Sequence, residues 1–190
     1  MASSLLASFH PFGAIPAADQ AQFLLAWAGR TVAEGEALSE AGASCQELFF
    51  IEQGVLRLVA QPARHQEVTH SFRQAGQLCT VLASFEQQVP TPLRIQAACP
   101  AQVLAISKVR LEALCQQLPY LPGLFAQLIQ HELLAKLHLQ RGYLGQDAAA
   151  RYETFLRCQP EIARHVPQRM IASYLGITPQ SLSRLRKIMG

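Results

Sequence analysis

Residues 168–187 read QRMIASYLGITPQSLSRLRK, and this stretch constrains the fold more than any other. Ala172 is followed by Gly176 four positions later and by Leu182 six positions after that. Two short helices crossing at a tight turn need this spacing. Ala172 has to be small where the second helix packs across the first. Gly176 permits the left-handed backbone of the turn. Ile171, Leu175, Ile177, Leu182 and Leu185 supply the small core between the two helices. Thr178-Pro179 is a strong helix start, a capping hydroxyl followed by proline at the first helical position. The pattern is a helix-turn-helix.

The second helix is predicted from Pro179 to about Ile188. Its outward residues are Gln180, Ser181, Ser183, Arg184 and Lys187. These side chains suit a major groove: Arg pairs bidentately with guanine, Gln with adenine, and Ser and Lys reach phosphates. An ordinary helical hairpin with basic residues is the plainer alternative. Spacing, cap and charge together favour the DNA reading.

Charge is distributed unevenly. The 190 residues carry a net charge of +3. Residues 1–147 hold nine Lys plus Arg against eleven Asp plus Glu, a net of −2; residues 148–190 hold seven against two, a net of +5. A basic cluster on a compact unit is the electrostatic footprint of nucleic-acid binding. Charge alone serves a solvated positive surface equally well.

Ahead of the tail, Arg30 to Ser107 shows short β-rich runs: Leu48–Ile51, Val55–Val59, Glu67–Phe72, Arg94–Ala98 and Val103–Ile106. Gly35, Gly42, Gly54 and Gly76 fall between such runs, which predicts a sandwich, barrel or jelly roll. A short helix is predicted over residues 19–29, capped by Asp19 and ended by Gly29. Another is predicted over Lys108–Gln117 with Ser107 as N-cap. A long helix is predicted from about Leu121 to Asp147. Its wide apolar surface includes Leu121, Leu124, Leu128, Leu134 and Leu137. One face can cover the β body and another a second copy of the chain. A core helix in a monomer is the alternative.

Several classes are disfavoured. Half of the residues are hydrophobic and 15% are charged, which excludes a disordered chain. No stretch approaches the roughly 20 uncharged apolar residues that span a bilayer. Met1–His10 has no Lys or Arg ahead of its apolar residues, so no secretory signal is expected. Cys45, Cys79, Cys99, Cys115 and Cys158 are odd in number, widely spaced and without a C-x-x-C pair, so they read as small hydrophobes in a reducing cytosol. A thiol redox sensor is the alternative. HELLA (His131–Ala135) misses the H-E-x-x-H zinc motif, because Ala135 stands where the second ligand belongs. His138 lies two helical turns from His131. A cupin-type metal site would need H-x-H, whereas His65 and His70 are separated by four residues. Neither a nucleophile elbow nor a phosphate-binding glycine loop occurs. The chain is read as a non-enzyme without a metal.

Taken together, residues of about 20–188 resemble the Crp/Fnr family of bacterial transcription regulators. Gly35, Gly42, Gly54 and Gly76 match family glycine positions, and ELFFIEQGVLRL (Glu47–Leu58) resembles its central hairpin. The segment from Arg151 to Lys187 is similar to a subgroup common in Bacteroidetes-type bacteria. The resemblance implies an α+β fold. Residues 1–120 would form a cyclic-nucleotide-binding-like β-roll of jelly-roll type, 121–147 a dimerisation helix, and 148–190 a helix-turn-helix domain lacking the full wing, since the chain stops at Gly190.

It also implies a cytoplasmic homodimer on double-stranded DNA, with two recognition helices about 34 Å apart on a near-palindrome. Gln168, Arg169, Thr178, Pro179, Gln180, Ser181, Ser183, Arg184 and Lys187 are the candidate DNA-binding residues. Pro179, Gln180 and Arg184 would face bases, Ser181 a phosphate, and Gln168 and Arg169 the backbone. Pro179 departs from the basic residue of the best-known members, so their consensus site does not carry over. RNA polymerase and an unidentified small-molecule effector are further candidate partners; no membrane is.

Effector chemistry departs further. Members that bind cyclic nucleotides carry Gly-Glu-Leu after the Gly76 position and an Arg-Ser or Arg-Thr pair some ten residues on. Here Thr80-Val81-Leu82 and Thr91-Pro92 stand at those places. Val81 cannot accept a ribose hydroxyl and Thr91 cannot neutralise a phosphate, so cyclic AMP is not expected to bind. Iron–sulfur members place cysteines near the N-terminus, and no Cys precedes Cys45. A haem ligand would have to come from His10, His65, His70, His131, His138 or His165, and no spacing singles one out. The remaining alternative is a ligand-sensing β-roll protein acting through protein contacts without reading DNA.

Overall fold

The computed structural model describes residues 2–60 and 67–189. Its elements in chain order are α1 (Ala2–Phe9), α2 (Ala17–Leu25), β1 (Ala28–Val32), β2 (Ala37–Ser39), β3 (Glu47–Gln53), β4 (Val55–Ala60), β5 (Val68–Gln74), β6 (Leu78–Cys79), α3 (Leu82–Gln87), β7 (Leu93–Ala97) and β8 (Ala101–Ser107). The helices α4 (Lys108–Gln117), α5 (Leu121–Tyr143), α6 (Ala148–Cys158), α7 (Pro160–His165), α8 (Gln168–Leu175) and α9 (Pro179–Met189) follow.

Two four-stranded antiparallel sheets form the roll, in the orders β1-β8-β3-β6 and β2-β7-β4-β5. Phe49, Phe50, Ile51, Leu56, Ile95 and Ile106 are all wholly or almost wholly buried in the roll, consecutive β3 residues facing opposite sides of their sheet. The β3–β4 hairpin turns at Gly54, where φ is +84° and a Cβ would lie 2.5 Å from the Pro100 carbonyl oxygen. Only glycine satisfies both constraints.

The second sheet carries a part-buried ion network. Arg57 is 3% exposed, pairs with Glu67, and donates to Gln96 Oε1 (2.9 Å) and Thr69 Oγ1 (3.1 Å). Arg94 binds the other Glu67 oxygen. Burial alone would push the Glu67 carboxyl up. Hydrogen bonds and charge from Arg57 and Arg94 outweigh that and hold it below its usual range.

Three local readings differ from the sequence expectation. The helix expected over 19–29 spans Ala17–Leu25, with Pro16 at its N-cap. Asp19 lies in the first turn and accepts a hydrogen bond from the Tyr120 hydroxyl at 2.7 Å. Gly29 belongs to β1, opposite Leu104, because pairing with β8 overrides the local helical pattern. The long helix ends at Tyr143 instead of Asp147. Gly145 has φ +74°, and Asp147 caps α6 by accepting from the Ala150 N–H at 2.9 Å. The α4 expectation holds, with Ser107 accepting from the Arg110 N–H.

Helix α5 leaves the roll as its purpose changes. Leu121, Phe125 and Leu128 are buried, with Phe125 packed edge-on to Phe9 at 5.0 Å. Further along, Leu133, Leu134 and Leu137 are exposed. The tail helices then fold back on the roll. Val55, Phe72, Ala98 and Cys99 of the roll share one apolar cluster with Tyr152, Phe155, Ile162, Met170, Leu175 and Leu182.

Candidate functional site

The tail builds its turn from side chains close in sequence. Gly176 ends α8 with φ +69°, and the Ile177 N–H returns to the Ala172 carbonyl at 3.0 Å. Thr178 Oγ1 accepts from the Ser181 N–H at 3.1 Å, satisfying a free donor at the start of α9. Ala172 is fully buried beneath the crossing, and Ile171, Leu175 and Leu182 are buried around it.

This crossing turns one face of α9 outward. Thr178, Pro179, Gln180, Ser183, Arg184 and Lys187 are all exposed. Among the described residues, the side chains of Gln180, Ser183, Arg184 and Lys187 make no hydrogen bond or ion pair. Arg186, which the sequence reading did not single out, is exposed on the same helix. Ser181 is half-buried, and its Oγ accepts from the Thr178 hydroxyl at 2.9 Å, so the cap engages it. Gln168 and Arg169 are exposed at the start of α8, where Arg169 lies 3.3 Å from a Glu34 oxygen of the roll.

Helix α8 is engaged on its other side. Ser173 Oγ accepts from the Thr69 N–H at 2.9 Å and donates to the Glu67 carbonyl at 3.0 Å. One hydroxyl thereby satisfies two backbone groups on the edge strand of the second sheet. Tyr174 packs on Phe72 with ring centroids 5.1 Å apart. Local pattern does not announce this contact, because its partners lie more than a hundred residues away in sequence.

The effector candidates separate in space. Thr80, Val81 and Leu82 line a cavity of about 250 Å³ between the roll and α5, with Leu93, Arg73 and Lys136 also on its walls. The Thr80 hydroxyl is already tied to the Glu47 carbonyl at 3.1 Å. Thr91 and Pro92 do not line this cavity. Thr91 is 5% exposed, held in a turn where its N–H donates to the Ala43 carbonyl and its Oγ1 accepts from the Leu93 N–H.

Cys45, Cys79 and Cys99 are buried, Cys115 is half-buried and Cys158 is exposed. Burial pushes the Cys79 thiol up to about 12. His10, His70, His131, His138 and His165 are exposed, and His65 lies outside the described residues. Among the described residues, no three His, Cys, Asp or Glu side chains stand close enough to hold a metal ion, and no helix is long and apolar enough to cross a membrane.

Residues 29–118 match the cyclic nucleotide-binding domain family. Most of the chain superposes on solved regulators. The c-di-GMP-responsive global regulator CLP of Xanthomonas campestris is 16% identical with a TM-score of 0.68, covering 92% of this chain and 91% of CLP. The chain has the fold of a Crp/Fnr-type regulator. FixK2 of Bradyrhizobium japonicum gives 17% identity and a TM-score of 0.68 over 86% of this chain and 84% of FixK2. A CooA variant of Carboxydothermus hydrogenoformans gives 17% and 0.63 over 87% and 77%. No curated protein sequence is significantly similar to this chain.

Proposed function

We propose that this Crp/Fnr-type chain is a sequence-specific, DNA-binding transcription regulator, active in the cytoplasm as a homodimer on a near-palindromic site. The roll (1–120) senses, 121–147 joins two copies, and 148–190 binds DNA. The observation that carries this reading is the free outward face of α9. Gln180, Ser183, Arg184 and Lys187 stand exposed with no partner among the described residues, and this is the donor and acceptor set that reads base edges and phosphates. Gln168, Arg169, Thr178, Pro179 and Ser181 flank it. The exposed Leu133, Leu134 and Leu137 of α5 supply an apolar face for a second copy.

Cyclic AMP is not the effector in this reading. Val81 offers no side-chain acceptor, and Thr91 is buried in its own turn. In the cavity at Thr80–Leu82 the Thr91–Pro92 turn supplies no cation to a cyclic phosphate, and the cations on the walls are Arg73 and Lys136. Calorimetry with cyclic AMP and cyclic GMP should show no binding at micromolar concentration.

A mobility-shift titration against the upstream region of the protein's own coding sequence, repeated over a salt series, tests the main reading. Each phosphate neutralised should steepen the fall of log affinity with log salt by about 0.9. Absence of a shift at low salt would instead support a β-roll sensor that acts through protein contacts.

A further inference from the structure

A notch of about 240 Å³ opens on the tail where α6, α7, α8 and α9 meet. Ile171 and Leu182, both buried at the crossing of α8 and α9, supply part of its apolar lining. Arg164 of α7, Gln168 of α8 and Arg186 of α9 stand exposed around it, and Tyr152 of α6 is the fourth polar member. The crossing brings them together. Gln168 precedes Ala172 by one helical turn, and Arg186 follows Leu182 by one turn.

The chemistry of the notch is one-sided. The side chains of Gln168 and Arg186 make no hydrogen bond or ion pair with a described residue. Arg164 pairs at 2.6 Å with Glu161, which does not line the notch. That pair is exposed and engages only part of a five-donor guanidinium. Tyr152 is 6% exposed, yet its hydroxyl has no partner among the described residues. A hydroxyl on a buried ring ordinarily finds one. Two guanidinium groups, an amide and an unpaired hydroxyl thus meet in a space that no described carboxylate lines. Such a set suits an anion with several acceptor oxygens.

Position selects the anion. Arg186 comes three residues after Ser183, so the two are neighbours on the helix surface. Ser183 belongs to the free outward face of α9, and Leu182 on the other side of Arg186 is buried against α8. Arg186 therefore stands on the rim between that face and α8. A helix seated in a major groove is flanked by the sugar-phosphate backbone, which passes such a rim.

We propose that the notch receives one backbone phosphate of the bound duplex, flanking the base pairs that α9 reads. Arg164 and Arg186 meet its charge, and Gln168 and Tyr152 donate to its remaining oxygens. The contact fixes register and adds affinity without base preference. It rests on the DNA-binding reading and extends it to two arginines and a tyrosine which that reading leaves unused.

The test uses the full chain and a duplex from the upstream region of its own coding sequence. In Arg164→Gln/Arg186→Gln, affinity should fall about three- to tenfold, alike on that duplex and on its single-base variants. The slope of log affinity against log salt should flatten by about 0.9 for each notch engaged. Arg186→Lys, which keeps the charge, should keep the slope. Arg157→Gln removes an exposed arginine of α6 outside the notch and should leave the slope unchanged.

A second arm leaves the protein intact and replaces single flanking phosphates with neutral methylphosphonate. One position per half-site should weaken the native chain about threefold or more and leave the double variant unaffected. An unchanged slope in the folded double variant overturns the proposal and leaves the notch to solvent or to a partner protein's carboxylate. Equal flattening in Arg157→Gln, or loss confined to particular base variants, also overturns it. So does a flank in which every replacement weakens both proteins alike. A native chain that binds no duplex at low salt removes the DNA reading itself, and the notch proposal with it.

Discussion

Helices α8 and α9 belong to one small motif and share one core, yet they face different surroundings. Helix α8 is held from three directions: Ser173 on the β5 backbone, Tyr174 on Phe72, and Arg169 beside Glu34. Helix α9 touches the rest of the tail through Leu182 and Leu185 and presents its other side to solvent. The difference separates two tasks. One helix fixes where the motif sits on the roll, and the other stays free to meet a partner. Substitutions along α8 should therefore alter tail attachment, while outward substitutions along α9 should alter DNA binding alone.

The largest expected effect erases the comparison. Leu182 is almost wholly buried at the crossing of α8 and α9. Leu182→Ala should cost about 2–5 kcal/mol through lost transfer energy and a residual cavity. Chemical denaturation should show the tail losing stability, and DNA binding should go with it.

A smaller effect isolates α8. Ser173→Ala removes the hydroxyl that serves the Thr69 N–H and the Glu67 carbonyl. Leaving those part-buried groups unpaired should cost about 1 kcal/mol of attachment. Hydrogen exchange should show the Thr69 amide less protected, with α9 amides unchanged. Equal loss along both helices would mean that the motif and its attachment unfold as one unit.

The smallest effect concerns pH. The folded Glu67 carboxyl titrates below the ordinary value of 4.5. Its ion pairs therefore contribute stability that is fully present above about pH 4.5 and is lost as the pH falls through the folded value. Glu132 works in the opposite sense, because burial raises its carboxyl. The stability difference between the native chain and Glu67→Gln should thus shrink below pH 4.5, and a denaturation series at stepped pH reads it. Since Glu67 is partly exposed, screening keeps the difference small.

The same division governs how much could be read in advance. The turn of the tail motif is local chemistry: Gly176, Thr178 and Pro179 act within a few residues, and the sequence pattern locates them. The strands β3, β4, β5, β7 and β8 were legible because short β-rich runs alternate with turn glycines. Strand β1 was not, since AGRTV lacks a strand pattern and depends on β8 for its pairing. Helix α1 was also missed. Its Leu5 and Phe9 are wholly buried against distant aromatic rings such as Phe125. Of the effector candidates, Thr80–Leu82 line the cavity beside α5, while Thr91 and Pro92 lie in a neighbouring turn.

The central claim is that α9 reads DNA sequence through its free face. Arg184→Ala, measured against every single-base variant of the bound site, tests it most directly. The account predicts a loss of roughly 1–3 kcal/mol on the native site, with discrimination relaxed at one base pair per half-site. Unchanged affinity across all site variants would contradict it.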